Sequence, residues 1–461
     1  MSRVIIVGAG ITGLSLAFRL QQRRPDLDLL LLEATSRPGG NLTTIVQEGF
    51  QLDLGPNGFL DNKPSTFQLC KDLGLHGELT QASEISRRKR FVFWNGRMRE
   101  LPGGPLGLLT TTLLSWRGKS DLLREPWRPR GDPNKDESIA EFFRRRIGGE
   151  ATQLFVDALV TGIHGGDAEL LSMRAAFTRF WQMEQEAGSI IRGLRRAAQT
   201  QRREAEAKGD PRPMPQRMWS FRSGIGRLPQ RLAEALGSVL RCESQVQRIE
   251  RSKERFVVRL ADGQNIDADS LVLACPAYSQ ADLLRTVDPA LAGELAAIAY
   301  APIAVVSVGF RESDVPNAPS GFGYIAPQQQ KRDLLGVQWC SSIFPERAPT
   351  GHVLWRALCG GWSRQDVLSW SDERLTNAVL EEMRLAHGCW ATPMFRHVHR
   401  WPRAIPQYFV GHTDRVARIE SLASKHGQLY LTGNALRGVA INDCTEEANR
   451  LAENIASTFP G

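Results

Sequence analysis

A short apolar strand that runs straight into Gly8-Ala9-Gly10-Ile11-Thr12-Gly13 constrains this chain more than any other feature. Ser2 to Val7 reads as a buried strand, and the three glycines allow a tight turn, a close approach of backbone to a pyrophosphate, and packing of the next helix on the sheet. The diphosphate would sit at that helix's N-terminus, where unpaired N–H groups and the helix dipole favour negative charge. Glu33 closes a second apolar strand, Leu29 to Leu32, 20 residues after Gly13. A carboxylate there accepts both ribose hydroxyls of an adenosine and repels a 2′-phosphate. The glycine pattern alone is a weak signal, because a glycine-rich helix entry can be purely structural. Strand, turn, helix, second strand and acid in register predict a nucleotide site. Arg37-Pro38-Gly39-Gly40 and Gly55-Pro56-Asn57-Gly58-Phe59 would bring further backbone and a cation to a longer dinucleotide, which points to FAD over NAD; the bland alternative is two ordinary turns.

At 461 residues, with 42% hydrophobic and 23% charged, the chain predicts two or three domains with a sizeable core. No run reaches the roughly 18 to 20 apolar residues needed to span a bilayer. The N-terminal apolar run is the first nucleotide-binding strand, so no secretory leader is expected. Seven scattered cysteines without a CxxC argue against a disulfide framework or zinc and fit a reducing compartment. His397 and His399, two apart and without a third ligand nearby, read as structural, so no metal is expected. The net charge of +8 is concentrated at Arg87 to Arg90, Arg144 to Arg146 and Arg195 to Arg203. Solvated helix faces are the default reading, followed by anionic lipid or an acidic substrate. No nucleic-acid module is visible.

The expected fold class is α/β: a discontinuous Rossmann-like FAD-binding domain (1–84, 206–285 and 401–461), a helical insertion (85–205) and a mixed α+β substrate domain (286–400). The second FAD segment carries Phe221 to Gly226, a helix from Leu228 closed by Gly237, a hairpin at Asp262-Gly263, and a strand at Leu271 to Cys275. The third carries a strand at Leu429 to Thr432 and a helix from about Asn442. Ser138 to Glu141 reads as a capping box, and Gly209 to Pro215 as the loop leaving the helical insertion. Within that insertion, Leu106, Leu109, Leu113 and Trp116 form one helical stripe, followed by Arg117, Lys119, Leu122, Leu123 and Trp127. An apolar stripe with tryptophans and cations suits a helix lying in a membrane interface, or one packed on its neighbours.

Beyond the N-terminal fingerprint, further segments carry a resemblance. They are Gly55 to Phe59, Thr161-Gly162-Ile163-His164-Gly165-Gly166-Asp167 with Leu171-Ser172-Met173, Gly321-Phe322-Gly323, Arg400-Trp401-Pro402, Ile405 to Tyr408, Gly411-His412, Gly433-Asn434-Ala435 and Asn442-Asp443-Cys444. Over nearly its whole length the chain resembles the protoporphyrinogen oxidases of the flavin amine-oxidase superfamily, bacterial type. It departs from them at Phe221-Arg222-Ser223-Gly224, a reduced paired-glycine motif, and at Leu436-Arg437 and Ala440, where an aromatic-lysine pair and a glycine are usual.

The resemblance implies a six-electron oxidation of protoporphyrinogen IX to protoporphyrin IX, in three hydride transfers to non-covalently bound FAD, with oxygen as acceptor and hydrogen peroxide as product. It implies a cytoplasmic enzyme peripherally associated with the inner face of the cell membrane, and leaves a homodimer open. The implied cofactor residues are Gly8, Gly10, Ile11, Thr12, Gly13, Glu33, Arg37, Gly39, Gly40, Asn41, Gly55, Pro56, Asn57, Gly58, Val246, Trp401, Gly433, Asn434, Val439, Ile441 and Asn442, with the helix near Asn442 facing the reduced flavin's N1–C2=O. The Gly162 carbonyl would orient pyrrole N–H groups, Arg90 would hold a propionate, and Phe322, Ile325 and Leu358 would flank the macrocycle. Gln338 falls where relatives often carry an aliphatic residue. His164 is a weaker candidate for a proton acceptor. A coproporphyrinogen III oxidase, an amine oxidase or desaturase, and a non-catalytic tetrapyrrole carrier are the alternatives.

Overall fold

The computed structural model describes residues 2–207, 216–252, 255–315 and 317–459. Two compact units emerge, one built from Met1–Gln81, Met218–Ala299 and Asp414–Gly461, the other from Ala82–Arg217 and Tyr300–Thr413. The first unit centres on a parallel sheet in the order Leu240–Arg241, Asp28–Leu32, Arg3–Val7, Ser270–Leu273, Leu429–Leu431. Val4, Ile5 and Ile6 are wholly buried in its middle strand, as a parallel strand covered on both faces requires. Helices Ile11–Arg23 and Ile441–Thr458 share one core through Leu14, Leu20, Ala448 and Ile455. Each such leucine or isoleucine is worth about 1.5–3 kcal/mol of burial. The hairpin Arg255–Leu260 to Asn265–Ala268 turns at Gly263, whose φ of +87° suits glycine.

The second unit holds a seven-stranded sheet in the order Phe395–Pro406, Tyr300–Arg311, His352–Gly360, Leu334–Gln338, Gly323–Ile325, Phe91–Trp94, Arg97–Glu100. Ala304, Val306, Trp355 and Ala357 point to one face, where helix Asp372–His387 covers them with Leu375, Val379 and Met383. Their alternates Ile303, Val305, Leu358 and Trp401 gather on the other. The helical part includes Ile139–Ile147, Asp157–His164, Thr178–Ala187 and Ile190–Ala207, the first opened by the Ser138–Glu141 capping box.

Several expectations change. The segment borders placed at 84, 205, 285 and 400 give way to unit borders at 81, 217, 299 and 413. Strand Met218–Phe221 pairs with Phe59–Leu60 and Leu79–Gln81, while Phe395–Pro406 pairs along Tyr300–Arg311. The helical and sheet insertions thus form one unit, and Trp401 belongs to it rather than to the nucleotide unit. The uncharged stripe is not one helix. Helix Gly104–Thr110 ends where Thr111 turns extended, its hydroxyl accepting from the Leu113 N–H at 3.2 Å, a local bond that competes with helix. Leu113 and Leu114 then enter a core with Leu154 and Ala158, whereas Leu109 stays exposed. The side chain of Leu106 and the segment Gly209 to Pro215 lie outside the described residues. Of Arg144 to Arg146 only Arg144 is solvated, where it meets Glu169: Arg145 pairs with Glu137 and Glu184, and the wholly buried Arg146 with Glu125.

Candidate functional site

In the nucleotide unit each glycine of the fingerprint has its own physical reason. Gly8 has φ +104°, and a Cβ on it would lie 2.7 Å from the Cys275 nitrogen. A Cβ on Gly13 would fall 2.0 Å from the Gly8 carbonyl oxygen, so the helix can close on the strand only without one. A Cβ on Gly10 would meet nothing within 4 Å. Open space over the middle glycine, with close packing at the outer two, is the division of labour that a bound pyrophosphate requires.

Other predicted residues gather around this turn. The Gly39 N–H donates to the Ala9 carbonyl at 2.7 Å, and Gly10 and Gly39 form a bridge. Gly40 lies against Gly10, and Gly55 packs so closely on Asn41 that a Cβ would sit 2.0 Å from its carbonyl oxygen. Gly58 packs likewise on Trp219, Asn57 is buried, and Pro56 is exposed. The Glu33 carboxylate is held by the Ala9 N–H at 2.8 Å and by the N–H and hydroxyl of Thr35. Arg37 donates to the Pro38 and Gly40 carbonyls, and burial lowers its pKa. Val246 begins a strand two residues after Ser244, whose N–H donates to the Glu33 carbonyl. At the altered paired-glycine motif, Gly224 and Gly226 both press on Thr44, and the Ile225 N–H donates to Asp53.

Gly433, at φ +124°, leads with Asn434 and Val439 to helix Ile441–Thr458. Two side chains predicted there are committed inward. Ile441 is in the core, while the Asn442 amide donates to the Leu60 carbonyl and Asn62 and accepts from Thr66. Any contact of these two with a cofactor is therefore through backbone. The same holds for Ile11 and Thr12, both buried in the first helical turn. Asp443 accepts from the Ala440 N–H and pairs with Lys63 at 2.7 Å.

In the second unit, strand Phe91–Trp94 runs parallel to Gly323–Ile325, with Phe91 opposite Tyr324. That pairing sets Arg90 beside Phe322, the guanidinium carbon 4.9 Å from the ring centroid, a cation–π geometry. Arg87 and Arg88 are spent on Glu84. Arg90 has no carboxylate partner among the described residues; it is open to solvent on one side, and desolvation by the groups packed around it lowers its pKa. Ile325, Leu358 and Gln338 share the sheet face opposite helix Asp372–His387, since Ile325 pairs with Gly336, Gly336 with Leu358, and Gln338 with Arg356. Gln338 accepts from the nearly buried Arg356 at 3.2 and 2.5 Å. Trp401 packs on that face with Ile303, Val305 and Leu358, and its ring lies 4.4 Å from that of His399.

Gly162 sits in the last turn of helix Asp157–His164, where a Cβ would come 2.8 Å from the Ile325 Cδ1. Leu159, Gly162 and Ile163 form its exposed face. Leu159 and Ile163 were missed, although Leu159 precedes Gly162 by three residues and Ile163 by four, the spacing of one helical face. A helix end leaves carbonyls to be satisfied. Here Thr161 accepts from the Gly165 N–H, His164 from the Gln407 amide, Gly165 from the Trp362 N–H, and Gly166 from the Gln328 amide. The Gly162 and Ile163 carbonyls have no donor among the described residues.

His164 is 2% exposed and packs against Phe177 and Tyr408. Burial pushes its pKa down to about 4, so it is neutral at pH 7 and a poor proton acceptor. Asp157, one and a half turns before Gly162, is pushed up to about 6, chiefly by burial and further by Asp167 and Glu169. No group of metal-ligating side chains occurs among the described residues.

The flavin containing amine oxidoreductase family matches residues 11–456, and the chain belongs to it. It is a flavin-containing oxidoreductase, and the glycine geometry fits FAD. It is similar to protoporphyrinogen oxidase 1 of Arabidopsis thaliana chloroplasts, 33% identical with 97% of this chain and 87% of the relative covered. Coproporphyrinogen III oxidase of Bacillus subtilis is 30% identical over 96% of each chain. A solved structure from Exiguobacterium sp. 255-15, provisionally identified as a protoporphyrinogen oxidase, superposes with a TM-score of 0.84 at 27% identity, covering 99% of both chains.

Proposed function

We propose that the protein oxidises protoporphyrinogen IX to protoporphyrin IX, a six-electron step of tetrapyrrole synthesis, with oxygen as acceptor and hydrogen peroxide as product. The observation that carries the reading is the Gly162 carbonyl. It is left unsatisfied at the negative end of a helix, on an apolar exposed face, while the carbonyls of Thr161, His164, Gly165 and Gly166 are occupied. Such a carbonyl suits the pyrrole N–H donors of a porphyrinogen and the positive charge that develops as it is oxidised. The flavin, when bound, supplies the hydride acceptor. Gly8 to Gly13, Glu33, Arg37 to Asn41, Gly55 to Gly58, Val246 and the Gly433 to Asn442 segment hold it without a covalent link. Ile325 and Leu358 give the macrocycle an apolar surface, and Arg90 stacked on Phe322 takes a propionate, for which a guanidinium is the best-matched cation.

The first unit is thus the cofactor unit, and the second binds substrate. Trp116 and Leu123, 84% and 56% exposed, stand two turns apart on helix Trp116–Leu123, and Trp127, 77% exposed, ends the short turn that follows, with Arg117, Lys119 and Arg124 among them. That belt supports peripheral association with the cytoplasmic membrane face, and no helix among the described residues is long and apolar enough to cross a membrane. A second reading, coproporphyrinogen III as substrate, is favoured by the Gln338–Arg356 pair, which adds polar groups to the face that carries Leu358. Anaerobic mixing with each porphyrinogen, followed by steady-state turnover in air, decides. Flavin bleaching with a kcat/KM at least about tenfold higher for protoporphyrinogen IX, roughly 1.4 kcal/mol, is expected. A reversed ratio assigns the protein to coproporphyrinogen, and no bleaching with either refutes both.

A further inference from the structure

The turn Gln328–Gln330 touches both ends of the helix that carries Gly162. At the helix start, the Asp157 carboxylate accepts from the Gln329 N–H at 3.3 Å. Just past the helix end, the Gln328 amide donates to the Gly166 carbonyl, and its oxygen accepts from the Ser363 hydroxyl at 2.5 Å. Ile325 lies three residues before this turn, on the strand that leads into it, and its Cδ1 fills the space that a Gly162 side chain would take. The helix is also irregular. A π-helical stretch, Thr152–Val156, precedes Asp157 directly, and such stretches are frequent at functional sites.

We propose that Asp157 and Gln328 act as positioning residues, a two-point clamp that fixes the Gly162 carbonyl and the Ile325 side chain in register for the porphyrinogen. The inference rests on the proposed function. Neither residue touches the reacting atoms. Asp157 anchors the helix start and Gln328 occupies the Gly166 carbonyl, which holds the helix end with the Gly162 carbonyl still available. Losing one anchor lets the helix end shift against Ile325, and misplacement by a fraction of an ångström is felt in substrate capture before it is felt in folding.

The holoenzyme variants Gln328→Ala, Asp157→Ala and Asp157→Asn test this. Gln328 is on a half-buried turn, so its truncation leaves a folded protein even if Asp157→Ala does not. With protoporphyrinogen IX, Gln328→Ala is expected to raise KM about tenfold with a smaller change in kcat and unchanged FAD content. Asp157→Ala does the same, and Asp157→Asn, which keeps an acceptor oxygen, restores most of the loss. The two alanine changes together are expected to be non-additive, because they open one clamp. Hydrogen exchange supplies a readout that needs no substrate: Gln328→Ala should accelerate exchange across 161–166 and 325–330 while the nucleotide unit is unchanged. Unaltered exchange in Gln328→Ala overturns the clamp whatever the substrate. Accelerated exchange with unaltered KM overturns its role in the reaction. If the wild type oxidises no porphyrinogen, the proposed function fails and the catalytic role of the clamp with it, while exchange still reports the contact.

Discussion

Replacing Gly10 and Gly13 by alanine, one at a time, separates a glycine kept for a ligand from one kept for the fold. At Gly13 the new methyl would sit 2.0 Å from the Gly8 carbonyl oxygen, about 1.5 Å inside a comfortable non-bonded distance. The oxygen belongs to backbone in the turn between the central strand and its helix, so it cannot swing away. Overpacking of this kind costs about 3 kcal/mol or more, and alanine's better helix propensity returns only about 1 kcal/mol. Gly13→Ala should therefore lower the unfolding free energy of the apoprotein by about 2 kcal/mol. At Gly10, φ is −70° and nothing lies within 4 Å. Gly10→Ala should thus leave apoprotein stability within about 0.5 kcal/mol of wild type. The methyl instead occupies the space of the pyrophosphate, so FAD should bind roughly ten- to a hundredfold more weakly, about 1.4–2.8 kcal/mol, and Gly10→Val more weakly still. Urea denaturation of the apoproteins and flavin titration by calorimetry measure the two effects. If Gly10→Ala binds FAD as wild type does, the open space is not the pyrophosphate site.

Further expectations concern the second unit. Arg90→Ala should retain FAD but lose roughly 2 to 4 kcal/mol in kcat/KM, and Arg90→Lys should recover only part; steady-state kinetics showing no change would leave Arg90 a surface charge. Exchanging Trp116 and Trp127 for glutamate should release the protein from anionic liposomes in a flotation assay while the flavin spectrum is retained; a wild type that does not float refutes the belt. Because buried His164 titrates at about 4 instead of 6.5, the unfolded chain binds a proton that the fold refuses between those values. Stability should fall as pH drops from about 6.5 to about 4, by up to roughly 3 kcal/mol. Asp157, raised to about 6, acts in the opposite sense over part of that range, so His164→Phe compared with wild type isolates the histidine. An unchanged acid slope in the urea series would mean that His164 is protonated in the fold.

The cofactor half was legible because its signals are local. A strand, three glycines and a helix follow one another without interruption, and the residue after the second strand is the acid, so spacing alone predicts Gly8, Gly10, Gly13 and Glu33. Each glycine answers a steric demand from a neighbour that the same motif supplies. The sequence could not show that Asn442 and Ile441 turn their side chains inward, because Leu60, Asn62 and Thr66 come from nearly 400 residues away. Tertiary structure also decided the stripe at Leu106 to Trp116. Its periodicity is helical, but the Thr111 hydroxyl bond and the core offered by Leu154 and Ala158 break it and take Leu113 inward. The substrate side was readable as residue types and not as an arrangement. Gly162 and Ile325 are 163 residues apart, and only the pairing of Gly323–Ile325 with both Phe91–Trp94 and Leu334–Gln338 brings them, with Arg90 and Phe322, into one unit. The free carbonyl of Gly162 is likewise a tertiary fact, since it depends on where Gln328, Trp362 and Gln407 send their donors.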